Sequence, residues 1–194
     1  ARYACDLTLD PNTANTELVL SDENKKIRRV KHRQPYPDHP ERFDVHQVLS
    51  VESLPGRCYW ETEWSGYYAD ISVSYKGINR KGGIECVFGC NDKSWSLFCI
   101  DNSFSVRHNN NYTDIPAVPS SCKRVGVYVD VSAGSLSFYS VSDTHTLTHL
   151  HTLNTTFTEP LCAGFGVYQM NSSVSLCDIK EPPVRIISDA HAAG

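Results

Sequence analysis

The feature that most constrains the fold is the stretch 124–141 (RVGVYVDVSAGSLSFYSV), in which two β-type runs flank a short break. In the first run valine occupies every second position from 125 to 131, so one face of a strand would be aliphatic. After a break that ends at Gly134, Leu136 and Phe138 continue the alternation. Glycine readily adopts the positive φ that tight hairpin turns need. The pattern therefore predicts a central β-hairpin.

The rest of the chain shows the same short period and almost no helical pattern. Turn-forming residues recur at regular intervals, and a dozen short strands spaced in this way are typical of a β-sandwich. We therefore predict an all-β fold of two stacked antiparallel sheets with few short helical turns. The sequence predicts strands at 18–21, 57–64, 71–75, 87–89, 94–100, 147–153, 161–167 and 174–179, a polar hairpin within 101–114, and an aromatic-rich loop at 66–70.

Charge restricts the class of partner. A formal net charge of -4 argues against general affinity for nucleic acid or for anionic membranes. The basic run 25–33 (KKIRRVKHR) is the one stretch that points the other way. A solvated strand with Ile27 and Val30 facing inward explains it more simply than a nucleic-acid patch does.

The eight cysteines bear on the cellular compartment. Most occur singly inside apolar runs, where a free cysteine behaves as a small buried hydrophobic residue. This favours a reducing compartment, and hence the cytoplasm. Three glycosylation sequons, at Asn111, Asn154 and Asn171, keep secretion as the alternative.

Three groups of residues are candidates for catalysis or metal binding. Glu61 and Glu63 share a strand face, and we interpret them as a solvent-facing strand edge rather than a carboxylate pair. In a continuous strand His145, His149 and His151 would point the same way, but residues four apart lie ~13 Å apart, too far for one zinc ion. Cys86 and Cys90 flank what reads as strand, not a metal-binding turn. We therefore predict no catalytic residue, no metal and no cofactor.

Five motifs, in this order, resemble the PRY-SPRY domain: LDPNTAN (9–15), PERFD (40–44), LPGRCYWETEW (54–64), WSL (95–97) and GVYVDVSAGSLSFYSV (126–141). The sequence is most similar to the fish versions found in tripartite-motif (TRIM) ubiquitin ligases, NACHT-type immune receptors and stonefish-toxin subunits. The resemblance implies a bent, concanavalin-like jelly-roll sandwich. It also implies a PRY segment at 1–52, a SPRY segment at 53–179 and a tail at 180–194.

The resemblance further implies a non-catalytic module that binds a protein ligand through a loop-lined aromatic pocket. The parent would be a larger innate-immune protein, oligomeric through other domains and, if of the TRIM type, a ubiquitin ligase through another domain. The alternative parent is a secreted pore-forming toxin subunit, and a carbohydrate-binding lectin is a weaker possibility. Neither nucleic acid nor membrane is expected as a partner of this domain alone. The candidate ligand-binding residues are Tyr67, Tyr68, Asp70, Trp95, Arg107, His108, Tyr168, Gln169 and Met170.

Overall fold

The computed structural model describes residues 3–101, 103–119 and 121–179, and within them the chain forms two antiparallel sheets. The strands are β1 (Leu18–Ser21), β2 (Lys26–Arg29), β3 (Gln47–Leu49), β4 (Arg57–Ser65), β5 (Tyr68–Tyr75), β6 (Ser94–Ile100), β7 (Ser103–His108), β8 (Asn111–Ile115), β9 (Arg124–Asp130), β10 (Ser135–Val141), β11 (Leu147–Asn154), β12 (Leu161–Gly166) and β13 (Ser173–Leu176). One sheet has the order β1-β2-β13-β4-β9-β10-β11, and the other has the order β3-β12-β5-β6-β7-β8. The predicted all-β sandwich is confirmed.

The hairpin predicted from the opening stretch is formed by β9 and β10. Gly134 has a φ of 67°, and a Cβ atom there would lie 1.7 Å from the Thr155 carbonyl oxygen, so only glycine fits this turn. The alternate valines of β9 and the side chains of Leu136 and Phe138 are fully buried between the sheets. The polar hairpin predicted within 101–114 is also confirmed, as β7 and β8 with Asn109 and Asn110 at its tip.

The first 52 residues contribute strands to both sheets. In the first sheet β2 pairs with β13, and in the second β3 pairs with β12. Ile27 of the basic run is buried as predicted, whereas Val30 follows the end of β2 and is half-buried. Two cations of this run are engaged in ion pairs, Lys25 with Asp6 at 2.6 Å and Arg29 with Glu17 at 2.7 Å.

Two local predictions were wrong. Residues 68–70, expected in a loop, are the start of β5, because Tyr68 and Asp70 continue the alternation through the register with β6. Residues 87–89, expected as a strand, follow a 3-10 helix at Ile84–Cys86 and lie in turns. Here Gly89 has a φ of 85°. The Phe88 backbone N–H donates to the Gln47 side chain at 3.3 Å, so a side chain takes the place of the neighbouring strand as its acceptor.

The interpretation of Glu61 and Glu63 as a solvent-facing edge was also wrong for Glu61. Strand β4 lies inside its sheet between β13 and β9, and Glu61 is buried. Its carboxylate accepts from the Tyr59 hydroxyl and from Arg124 Nε, both at 2.7 Å, so it belongs to a structural network. Glu63 alone is exposed.

The three histidines do not share one continuous strand. His145 lies in the turn before β11 with a φ of 61°. His149 and His151 flank Leu150 at a β-bulge in the pairing of β11 with β10. In the part of the chain that the structure describes, no group of three His, Cys, Asp or Glu side chains is placed to hold a metal ion.

The expectation that the cysteines are free was wrong for one pair. Cys5 and Cys58 form a disulfide, because a parallel bridge between Ala4 and Tyr59 lays the amino-terminal segment alongside β4. The other six cysteines are free thiols, and four of them are buried.

Thiol titration tests this bond. We expect the unfolded, unreduced protein to expose six thiols and the reduced protein eight. A cross-link that spans 53 residues is expected to stabilise the fold by about 4 kcal/mol, because it restricts the unfolded chain. The Cys5→Ser variant should therefore unfold at lower denaturant concentration and titrate one additional thiol. Eight thiols before reduction would contradict the bond.

The predicted tail at 180–194 lies outside the described residues. Among the residues described, no helix is long and apolar enough to cross a membrane.

Candidate binding site

The candidate site is built on the outer face of the second sheet, the face turned away from the sandwich core. Along β5, Ala69, Ile71 and Val73 point into the core, so the alternation turns the residues between them outward. Asp70 is one of these outward residues, and yet it is completely buried. Other parts of the chain must therefore cover this face.

Strands β6 and β7 bring two further side chains to the same face. Phe98 of β6 lies directly opposite Asp70, and Arg107 of β7 lies opposite Ser96. Arg107 Nη2 donates to Asp70 Oδ1 at 3.2 Å, and both side chains are at least nine-tenths buried. The charges thus form a buried ion pair on the outer face of the sheet.

Three aromatic rings pack above this pair, and we call them the aromatic cluster: Tyr68, Phe98 and Tyr168. The ring of Tyr68 stacks on Tyr168 with centroids 5.7 Å apart and packs on Phe98 at 4.8 Å. The Arg107 guanidinium lies 4.8 Å from the Phe98 ring centre, a cation–π distance. All three rings are half-buried, so part of each ring is accessible.

Burial dominates the electrostatics of the site. Desolvation raises the pKa of Asp70 to about 7, although the Arg107 guanidinium acts in the opposite direction. Desolvation also raises the pKa of the Tyr68 hydroxyl, which therefore remains a neutral donor at physiological pH. Asp70 Oδ2 and Arg107 Nε are buried without a hydrogen-bond partner among the described residues. Each retains unused capacity to accept or donate.

Loops hold the cluster in position. Gln47 of β3 accepts from the Tyr168 hydroxyl at 3.0 Å and from the Phe88 backbone N–H at 3.3 Å. A Cβ atom on Gly89 would lie 2.9 Å from Arg107 Cβ, so the backbone of this loop packs directly on the ion pair. The half-buried Cys90 thiol lies 3.4 Å from Arg107 Nη1. The site is therefore fixed from both sides by segments distant in sequence.

Four of the nine residues predicted as ligand-binding come together here: Tyr68, Asp70, Arg107 and Tyr168. Asp70 and Arg107 form the buried base of the site. The structure therefore places the charge beneath the aromatic rings.

The other predicted residues lie elsewhere. Trp95 shares the core face of β6 with Leu97, and its ring stacks on His108 with centroids 4.7 Å apart. Both side chains thus lie on the opposite face from Arg107 and do not join the other predicted ligand-binding residues. Tyr67 is an exposed residue of the β4–β5 turn. Gln169 and Met170 are exposed after Tyr168, and Met170 Sδ lies 3.3 Å from Arg29 Nη1.

Sequence reasoning missed three contributors to the site. The role of Phe98 could have been predicted from the sequence. In SWSLFCI it lies on the same strand face as the serines, and an aromatic ring on an otherwise polar face indicates a binding surface. Tyr112 was missed because its position opposite Arg107 depends on the register of β8 with β7, which the sequence does not give. Gln47 carries no local signal, because its role depends on two loops that meet only in the folded chain.

Comparisons with known proteins agree on one family. Residues 7–54 match the PRY family (SPRY-associated domain), and residues 57–179 match the SPRY domain. Stonustoxin subunit alpha of Synanceia horrida is 42% identical over 85% of this chain and 24% of its own length. Tripartite motif-containing protein 16 of Mus musculus is 37% identical over 94% of this chain and 33% of its own length. The chain thus spans about a quarter to a third of these relatives.

Solved structures give the same answer. The stonustoxin structure superposes with a TM-score of 0.84 at 38% identity, covering 90% of this chain and 29% of that one. The PRY-SPRY domain of TRIM65 superposes with a TM-score of 0.82 at 27% identity, covering 92% of this chain and 93% of that one. Both segments of the family are present, in order, on the expected sandwich. The chain belongs to the PRY-SPRY family, whose domains are non-catalytic protein-interaction modules.

Proposed function

We propose that this domain recognises a protein ligand through the aromatic cluster and the buried Asp70–Arg107 pair beneath it. Half-buried tyrosine and phenylalanine rings offer large, rigid contact areas at low entropic cost, which is the composition of binding hot spots. The observation that carries the proposal is that Asp70 Oδ2, beneath these rings, is buried without a hydrogen-bond partner among the described residues. A buried acceptor without a donor is costly, so a donor from a ligand or a water molecule would be well accommodated there.

The parent protein is proposed to be a larger innate-immune protein of the tripartite-motif or NACHT-receptor type, with this domain as its carboxy-terminal recognition module. The match to tripartite motif-containing protein 16 over 94% of this chain supports this parent. In that setting the domain selects the target, and ubiquitin transfer belongs to another domain.

A second candidate is the carboxy-terminal domain of a secreted toxin subunit of the stonefish type. Identities of 42% to stonustoxin subunits alpha and beta favour it, as does the Cys5–Cys58 disulfide, since disulfides persist in oxidising compartments. The chemical state of the parent protein isolated from its native source separates the two parents. Retention of the disulfide with glycans at Asn111 or Asn154 supports the toxin, whereas a protein isolated from cytosol with eight free thiols supports the immune receptor.

Substitution of Tyr168 tests the proposed function. In the full-length parent protein, Tyr168→Ala should weaken binding of the partner recovered with the wild-type protein by about 30-fold, the loss of a hot-spot residue. Tyr168→Phe retains the stacking on Tyr68 and should bind nearly as well as the wild type. Val51→Ala removes an exposed apolar side chain that is not part of the site and serves as the matched control. Affinity that is unchanged in Tyr168→Ala and in Tyr68→Ala would refute the site.

A further inference from the structure

Each sheet has two edge strands, which are β1 and β11 in the first sheet and β3 and β8 in the second. A free strand edge presents unpaired backbone N–H and C=O groups, and proteins normally cover or disrupt such edges. Among the described residues, the edges of β1, β3 and β11 are covered or interrupted, whereas the edge of β8 is not. That difference is the basis of the inference.

Other segments of the chain cover the edges of β1 and β3. The Tyr36 hydroxyl, in the proline-rich segment, donates to the Leu18 carbonyl oxygen at 2.7 Å on the β1 edge. On the β3 edge, the Asp10 N–H donates to the Leu49 carbonyl oxygen at 2.9 Å, and the Leu49 N–H donates to Thr13 Oγ1 at 3.0 Å. Neither edge can accept another strand without displacing these contacts.

The edge of β11 is interrupted. Tyr139 pairs with His149 and Phe138 with His151, so Leu150 is the extra residue of a β-bulge. A bulge breaks the regular spacing of edge groups and increases local twist, which opposes the addition of a further strand.

Strand β8 has none of these protections. Its residues 111–114 are exposed, and among the described residues no segment is hydrogen-bonded to its outer edge. Positive φ angles of 48° at Asn109 and 61° at Asn110 indicate a two-residue type I′ turn, so His108 and Asn111 form the first hydrogen-bonded pair. Because such pairs alternate, the backbone N–H and C=O groups of Tyr112 and Asp114 face away from β7.

The side chains at this edge connect it to the candidate site. Tyr112 lies opposite Arg107, whose guanidinium is 5.4 Å from the Tyr112 ring centre. Asp114 falls on the same outer face, is exposed, and makes no ion pair among the described residues. A strand added beyond β8 would therefore lie beside the site, with an unpaired carboxylate available to it.

We propose that β8 accepts an extended segment of the protein ligand as an additional antiparallel strand, with a basic residue opposite Asp114 and an apolar residue opposite Tyr112. Backbone hydrogen bonds to Tyr112 and Asp114 provide the attachment, and the two side-chain pairs provide selectivity. The inference rests on the proposed function only in that the segment belongs to the same ligand. The favoured sequence has a basic residue two positions before a β-branched or aromatic one.

The probe that tests this inference is an acetylated, amidated peptide, Thr-Val-Thr-Lys-Thr-Val-Thr. In the antiparallel arrangement its valine and lysine side chains lie on the outer face, and their N–H groups point towards β8. We expect the peptide, at millimolar concentration, to slow amide hydrogen exchange at Tyr112 and Asp114. Amides that face β7, such as that of Thr113, are already protected and should change little.

Backbone methylation and substitution provide the controls. Methylation of the valine and lysine nitrogens should abolish the effect, whereas methylation of the threonine nitrogens should preserve it. In the protein, Asp114→Pro removes the outward N–H and should lose the peptide, while Asp114→Ala removes only the charge and should weaken binding severalfold.

Three outcomes would overturn the inference: unchanged exchange at Tyr112 and Asp114, equal effects of the two methylated peptides, or protection that depends on protein concentration without peptide. The last outcome would mean that a second copy of this chain occupies the edge. Failure here is distinguishable from failure of the proposed function. If Tyr168→Ala weakens partner binding and Asp114→Pro does not, the aromatic site is supported and strand addition at β8 is refuted. The reverse result would support strand addition and refute the aromatic site.

Discussion

The Trp95→Ala variant is expected to lose about 3–5 kcal/mol of unfolding free energy, the usual cost of removing a buried tryptophan. Its ring fills the core between Tyr75 at 5.2 Å and Phe157 at 5.0 Å, and it stacks on His108. For a chain of this size the loss corresponds to a fall of roughly 6–20 °C in the melting temperature. Urea unfolding and calorimetry measure both quantities.

Phe98→Ala is the matched comparison, because Phe98 is three residues along the same strand on the opposite face. Its ring is half-buried, so its truncation should cost about 1 kcal/mol of stability. Loss of the aromatic cluster should nevertheless weaken ligand binding by about 30-fold. A Trp95→Ala variant that remains stable and fails to bind, paired with a Phe98→Ala variant that binds normally, would move the site to the core-facing side of β6.

The second large effect is expected at the buried ion pair. Asp70→Ala leaves the Arg107 guanidinium buried without its carboxylate, and breaking a buried pair in this way typically costs about 3–5 kcal/mol. The double variant Asp70→Leu with Arg107→Met removes both charges and should recover most of that loss. Urea unfolding of the wild type, Asp70→Leu, Arg107→Met and the double variant gives the coupling energy between the two charges. A double variant whose loss of stability equals the sum of the two single losses would show that the charges contribute independently.

The same pair predicts how stability depends on pH. The folded-state pKa of Asp70 is raised from 3.8 to about 7, so between these values the folded protein binds a proton that the unfolded chain releases. The resulting contribution to stability is present in full below pH 3.8 and is lost as the pH rises through about 7. The advantage of the wild type over Asp70→Asn should therefore shrink as the pH increases over this range. An advantage that grows would mean that Arg107 outweighs desolvation.

The parts of the fold that were predictable from sequence are those with uninterrupted alternation. Strand β6 has the predicted bounds, and the β9–β10 hairpin turns at the predicted glycine, because each pattern is set by near neighbours. The start of β5 was missed although Ala69, Ile71 and Val73 alternate, since the tyrosines and the aspartate before them are equally typical of a loop. Glu61 was missed because its burial depends on Arg124, which is 63 residues away.

The candidate site was predictable only in composition. Of the nine residues that the sequence predicts as ligand-binding, Tyr68, Asp70, Arg107 and Tyr168 come together in the structure. The sequence did not indicate that the charged side chains lie beneath the aromatic rings. That arrangement depends on how two loops pack against the sheet. Trp95 lies on the core face of its strand, as the parity that it shares with Leu97 indicates.

The bond between Cys5 and Cys58 has a mechanical consequence. The amino-terminal segment runs parallel to β4, a strand with neighbours on both sides, and is covalently attached to it. Tension applied to the amino-terminal end of this segment would pass through this bond into the middle of the sheet and would load several strands in shear. In the reduced protein the same tension would peel the segment away one hydrogen bond at a time, so oxidation would set the force at which the domain yields.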